Sequence, residues 1–226
     1  SFLKQKDKVL AELSEMKLTT RKNYIAAIIV ALSVDKDKHE KELEVYRDLL
    51  DGVAKEYKEE VEKQTKSEKE SKNWVSLDKL KKIMRKYKNE IVEKGLLKKE
   101  PDQLSKKDFD LMQKWIVSSL YLLDDQAPLR NDYIMKVVSK SEYDKLSDKD
   151  KNDNNYLVVQ SRNKKFFSLG EYKTSDTYGT KKLDIGSKLN SALNIWLKYN
   201  KSGHLLLNSK GEPMSANGLT KYLNKV

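Results

Sequence analysis

The run Lys63-Gln-Thr-Lys-Ser-Glu-Lys-Glu-Ser-Lys72 contains ten consecutive positions without an apolar side chain. Charged and small polar groups bury no hydrophobic surface, so this stretch reads as a fraying helix end followed by a linker, and it cannot cross a core. A chain of 226 residues suits one large domain or two small ones, and an interruption of this kind fits two cores, one on each side. The expected layout is a helical domain over 1–66, a linker over 67–73 and a second domain over 74–226.

In the first domain, Ile25, Ile28, Ile29 and Leu32 recur at helical spacing, and Thr19 or Thr20 is the expected N-cap. Leu43, Tyr46, Leu49, Leu50, Val53, Tyr57 and Val61 mark one face of a second helix. In the second domain, Ser76 caps a helix carrying Leu80, Ile83, Met84, Tyr87 and Ile91, with Gly95 near its end. Ser105 and Asp108 form a capping-box variant ahead of Phe109, Met112, Ile116 and Leu120. From about residue 134 the pattern changes period. Tyr156–Val159, Phe166–Leu169 and Lys182–Ile185 are short, β-branched or aromatic, and bounded by polar turns, so they read as strands. Helices return at Ser187, with Leu189, Leu193, Trp196 and Leu197, and at Ser215, ahead of Leu219, Tyr222 and Leu223. The expected fold is mainly α with a small antiparallel sheet, an α+β arrangement. Trp74, Trp115 and Trp196 sit among helical apolar positions and read as core, and His204 reads as a strand-edge residue.

Charge divides along the same boundary. Residues 1–73 hold sixteen Lys/Arg and sixteen Asp/Glu, so the net charge of +11 belongs to 74–226. A basic excess confined to one domain points to a polyanionic partner there, although a lysine-rich coding bias accounts for it equally well. With no cysteine, disulfides and thiolate metal sites are excluded. No apolar run approaches the ~20 residues of a membrane span, and no secretory signal is present. The first residue is Ser1 rather than Met, which suggests a trimmed or internal fragment.

Two cations carry the most specific chemistry. Arg130, in Pro128-Leu-Arg-Asn-Asp-Tyr133, is permanently charged and can donate two parallel hydrogen bonds to a phosphate. Lys173, in Glu171-Tyr-Lys-Thr174, is expected on the turn of a β-hairpin, where it acts as a mobile point charge or a proton donor. Phosphoryl transfer needs positive groups around the phosphorus and an acid for the departing oxygen. Further DNA-backbone candidates are Thr19, Thr20, Arg21 and Lys22 at a helix start, and Lys164, Lys165, Lys181 and Lys182 along the strands. Against each stands an ordinary role: a capped helix for the first set, solubility for the second.

The order and context of Arg130 and Lys173 resemble the tyrosine recombinase (integrase) family over nearly the whole chain. The combination of Asn73-Trp-Val-Ser-Leu77 with Pro128–Tyr133 is most similar to integrases of giant DNA viruses and virophages. The resemblance implies a helical core-binding domain followed by a partial catalytic domain, the two modules clamping duplex DNA. It implies Arg130 stabilising the phosphorane and Lys173 protonating the 5′-oxygen, with no metal and no cofactor. It also implies double-stranded DNA as partner, a full-length homotetramer on DNA, a monomeric fragment, and a virus-encoded protein acting inside the host cell or virion. The chain departs from the family pattern at Tyr133, where many relatives carry an acidic residue. It also lacks a His-x-x-Arg box, since His39 and His204 are followed three residues later by Glu42 and Leu207. That box and the nucleophilic tyrosine are expected beyond Val226, and none of the twelve tyrosines is assigned as nucleophile. The alternatives are a type IB topoisomerase, a non-catalytic DNA-binding protein with a recombinase-like fold, and a helical scaffold.

Overall fold

The computed structural model describes residues 6–63, 71–72, 74–123, 125 and 127–226. The chain divides into two compact units, Ser1–Trp74 and Val75–Val226. Most of the expected linker lies outside the described residues, as does Asn73.

The first unit contains α1 (Lys6–Ser14), α2 (Leu18–Leu32) and α3 (Glu40–Glu62). Its core joins Val9 and Leu13 of α1, Ile25 and Leu32 of α2, and Leu43, Tyr46 and Val53 of α3. These are the one-face repeats that an amphipathic helix must bury. Two expectations change here. Val61 is exposed, so the apolar stripe of α3 fades before the helix ends. Neither Thr19 nor Thr20 caps α2, whose N-cap position is Lys17, two residues before Thr19, with no side-chain cap. The reason is Arg21. Its guanidinium donates to the carbonyls of Leu13 (3.1 Å), Ser14 (2.7 Å) and Met16 (3.4 Å), and so pins the turn out of α1 where α2 begins.

In the second unit, α4 (Leu77–Glu93) and α5 (Lys106–Leu122) follow their caps closely. The Ser76 hydroxyl accepts from the Lys79 N–H (3.3 Å). Ser105 and Asp108 cap each other's backbone reciprocally, and the Ser105 hydroxyl, which donates to the carboxylate, holds the Asp108 pKa below its ordinary value. Helix α5 is buried along its middle, from Leu111 to Leu120 except at Lys114, and forms the centre of the core. Its polar members are satisfied: Ser118 and Ser119 donate to carbonyls one turn back, and Gln113 exchanges two 2.9 Å bonds with the Leu207 backbone. Trp115 and Trp196 are core residues as expected, whereas Trp74 is 63% exposed. Trp74 lies in the extended segment before the Ser76 cap, outside the helix that would have turned it inward.

The sheet is mixed rather than antiparallel, with strand order β1-β2-β3-β4. Strand β1 (Lys136–Ser139) runs parallel to β2 (Asn155–Ser161). Strands β2 and β3 (Lys164–Leu169) form a hairpin, and β4 (Lys181–Asp184) pairs antiparallel with β3. Parallel neighbours require a crossover. Here it is α6 (Lys140–Lys145) and α7 (Asp148–Asp153), two short helices capped by Ser139 and Ser147. Leu157 and Phe167 face the main core, while Tyr156, Val158 and Phe166 form a second cluster against Tyr143 and Leu146. Both faces are therefore covered, which accounts for strands with continuous rather than alternating apolar residues. Helix α8 (Ser175–Tyr178) interrupts the β3–β4 connection, and α9 (Ser187–Tyr199) and α10 (Ala216–Leu223) close the core through Leu189, Leu193, Trp196 and Leu219. His204 does sit on the sheet edge, bridged to Lys136 of β1.

Candidate nucleic-acid interface

Arg130 is exposed on a loop whose backbone is fastened from several directions. The Tyr121 hydroxyl of α5 donates to the Arg130 carbonyl (2.6 Å). Beneath it, the Tyr133 hydroxyl donates to the Leu120 carbonyl (2.7 Å) and accepts from the Leu129 N–H (3.1 Å). The Asn131 amide donates to the Thr220 hydroxyl of α10 (3.0 Å). Burial pushes the Tyr121 pKa up to about 12 and raises that of Tyr133 further, so both remain neutral donors. Tyr133 therefore does structural work: it locks the loop from within the core. The Arg130 guanidinium has no partner among the described residues.

Lys173 is also exposed, within the 170–180 connection between β3 and β4. The connection is not the tight turn expected, because α8 lies inside it. The Tyr172 hydroxyl donates to the Gly179 carbonyl (2.8 Å) and closes it into a compact loop, with Gly179 at φ +63°. At its root, Gly170 leaves no room for a side chain, since a Cβ would lie 2.6 Å from the Asn152 carbonyl oxygen.

One buried side chain joins the two cation-bearing segments. Asn155, the first residue of β2, is 7% exposed. Its amide nitrogen donates to the Glu171 carbonyl (2.8 Å) and, at a longer 3.4 Å, to the Asp132 carbonyl. Its oxygen accepts from the Glu171 N–H (3.0 Å). Asp132 is two residues after Arg130, and Glu171 two before Lys173. At no more than ~3.6 Å of chain per residue, each cation stands within about 7 Å of chain of the residue that Asn155 holds.

The remaining candidates separate. Lys181 pairs opposite Leu169, at the Lys173 end of β3, and lies over the rings of Tyr178 (4.7 Å) and Tyr172 (5.5 Å). Its charge flanks the Lys173 loop. Lys182 lies over Phe166 (4.4 Å), 4.0 Å from the Asp184 carboxylate. Lys164 and Lys165 begin β3, at the opposite end from Lys173, roughly 15–20 Å along the strand. Lys164 is exposed, but Lys165 is only 3% exposed and is corrected as a backbone contact. Its ammonium is spent on the Arg162 carbonyl and the Asn190 and Asn194 side chains. In the first unit, Thr19 is exposed and Thr20 half-buried on the first turn of α2. Lys22 lies 5.8 Å from the Tyr57 ring. Arg21 serves the α1–α2 turn and reaches Glu56 (4.0 Å), so its guanidinium is already engaged.

Sequence reasoning missed Asn155, Tyr121 and Tyr133. Asn155 follows Asn152 and Asn154 in a polar stretch, and nothing local distinguishes it from them. Among the described residues there is no cluster of His, Cys, Asp or Glu able to hold a metal ion, and no helix is long and apolar enough to cross a membrane. No protein-family model, curated protein or solved structure matches this chain.

Proposed function

We propose that the chain binds duplex DNA and supplies the phosphate grip of a tyrosine-recombinase-type DNA strand transferase. The observation that carries this reading is the Asn155 clamp, which ties the Arg130 and Lys173 segments to one amide. In a strand transfer, the Arg130 guanidinium would hold the non-bridging oxygens of the scissile phosphate. Lys173 would donate a proton to the departing 5′-oxygen, while a tyrosine hydroxyl attacks phosphorus and forms a 3′-phosphotyrosyl bond. Double-stranded DNA is then the partner, and the basic excess of residues 74–226 supplies the sequence-independent part of the affinity.

The binding test is fluorescence anisotropy with a labelled duplex across a salt series. The logarithm of the association constant falls by about 0.9 per phosphate contact for each tenfold rise in salt. Arg130→Gln and Lys173→Gln should each shallow that slope by about one unit. No affinity at low salt, or a slope untouched in the double variant, would sink the proposal. The transferase half is tested separately on a nicked suicide duplex with the full gene product. A covalent adduct that Arg130→Gln abolishes is the expected outcome.

DNA binding without cleavage is a second reading, favoured by the tyrosines themselves. The hydroxyls of Tyr121, Tyr133 and Tyr222 are committed to Arg130, Leu120 and Asp110, and burial raises all three pKa values. None is prepared as a nucleophile. Persistent duplex affinity with no adduct in the full gene product would select this reading.

A further inference from the structure

Lys165 is a buried ammonium without a carboxylate. Its Nζ lies 2.8 Å from the Arg162 carbonyl oxygen, 2.9 Å from Asn190 Oδ1 and 2.6 Å from Asn194 Oδ1. Three oxygen acceptors require three N–H donors, which only the charged form provides. The Asn190 amide also donates to the Arg162 carbonyl (3.1 Å), fixing the β2–β3 turn. Neutral oxygens satisfy the hydrogens but do not neutralise the charge, and a buried ion without a counter-ion is costly. Burial and the neighbouring Arg162 charge draw the Lys165 pKa below the ordinary lysine value, which is the direction an uncompensated cation takes.

The missing counter-charge has a place to sit. Lys165 and Asn194 border a cavity of about 540 Å³ between the β2–β3 turn and the C-terminal half of α9. Arg162, Lys198 and Lys201 also line it, and no carboxylate does. Lys198 meets Glu100 at 3.9 Å, and Lys201 donates to the Leu197 carbonyl (2.9 Å), so both are partly engaged. The Arg162 guanidinium has no partner among the described residues. The rest of the wall is apolar, including Leu97, Val159 and Ile195. The volume falls in the range of small-molecule pockets, which pair a largely apolar lining with a few convergent polar groups. The cavity lies at the other end of β3 from Lys173, so the phosphate grip does not explain it.

We propose that this cavity binds a small organic phosphate of mononucleotide size. Arg162, with Lys198 and Lys201, grips the phosphate, and the apolar wall receives the ring system. Lys165 keeps the pocket positive without touching the ligand, because its three hydrogens are already used. A nucleic-acid backbone offers the same phosphate chemistry, but the apolar wall, which gives a ring system a surface to pack on, favours a free small molecule.

The probes are AMP and inorganic phosphate, measured by calorimetry and by thermal shift on the whole chain. AMP should bind and raise the melting temperature, and should bind more tightly than inorganic phosphate because of the apolar wall. The exposed side chain of Arg162 can be changed without disturbing the core, and Arg162→Gln should weaken AMP about tenfold or more. Duplex-DNA affinity and its salt slope should stay as in the unaltered chain, while Arg130→Gln lowers them. Failure of AMP to bind, equal affinity in Arg162→Gln, or inorganic phosphate binding as tightly as AMP would each overturn the assignment. So would an Arg162→Gln variant that loses DNA affinity as Arg130→Gln does, because these cations would then belong to a DNA surface. The AMP and inorganic-phosphate outcomes do not bear on whether Arg130 and Lys173 bind DNA.

Discussion

Replacing Asn155 by alanine tests whether one buried amide assembles the Arg130/Lys173 grip. The side chain makes two well-formed bonds to the Glu171 backbone, at 2.8 and 3.0 Å, and a longer one to the Asp132 carbonyl at 3.4 Å. Each good bond contributes about 1 kcal/mol net, and a fully buried orphan would add about 1–3 kcal/mol. Glu171 itself is exposed, so water recovers part of what the amide gave. The expected loss is therefore about 2 kcal/mol, read by urea unfolding from the fluorescence of the buried Trp115 and Trp196. Asn155→Asp separates hydrogen bonding from shape. It keeps the acceptor for the Glu171 N–H but loses both donated bonds and turns a carboxylate oxygen toward two carbonyls. It should cost at least as much as alanine despite matching the asparagine in size. In DNA binding, Arg130→Gln and Lys173→Gln should be non-additive in the native background and additive beside Asn155→Ala, because the two cations then no longer share a phosphate. A stability loss under about 0.5 kcal/mol, or an Asn155→Asp chain that behaves as the native one, would refute the clamp.

Arg21→Gln should destabilise the first unit by about 1–2 kcal/mol, because three carbonyls at the end of α1 lose their donor, while the DNA salt slope stays unchanged. A shallower slope at unaltered stability would restore Arg21 as a DNA contact. Gly170→Ala forces a Cβ against the Lys151 and Asn152 carbonyl oxygens and should cost about 2–3 kcal/mol in urea unfolding, where a neutral result would mean that α7 can move away. Tyr121, Tyr133 and Tyr222 all have pKa values raised above the ordinary 10, Tyr121 to about 12. The folded state holds these protons more tightly than the unfolded chain does. That stability is fully present below pH 10; the Tyr121 share is lost as pH climbs from 10 through about 12, and the loss from Tyr133 and Tyr222 continues above that. Phenolate absorbance at these positions should appear together with loss of the circular-dichroism signal, and smooth ionisation in a still-folded chain would contradict it.

Local pattern alone placed the two units on either side of the polar run at 63–72, the main helices with the Ser76, Ser105 and Ser215 caps, and three of the four strands. Those features depend on neighbours within a turn or two of helix, and their spacing is written directly in the residues. The exposed cations Arg130 and Lys173 were legible for a related reason: each stands in a short polar segment between apolar elements. Tertiary structure decided which polar groups face inward. Asn155 reaches residues 16 and 23 positions away, Lys165 reaches Asn190 and Asn194, and Gln113 pairs with a backbone 94 residues on. A buried polar side chain is defined by partners that chain folding brings to it, and no periodicity encodes them. The same reason turned Lys165 from a surface candidate into an interior charge, and Trp74 from a core candidate into an exposed ring. The parallel β1–β2 pairing was likewise settled by packing, since it required two short polar helices to fold across one face of the sheet and cover Tyr156, Val158 and Phe166.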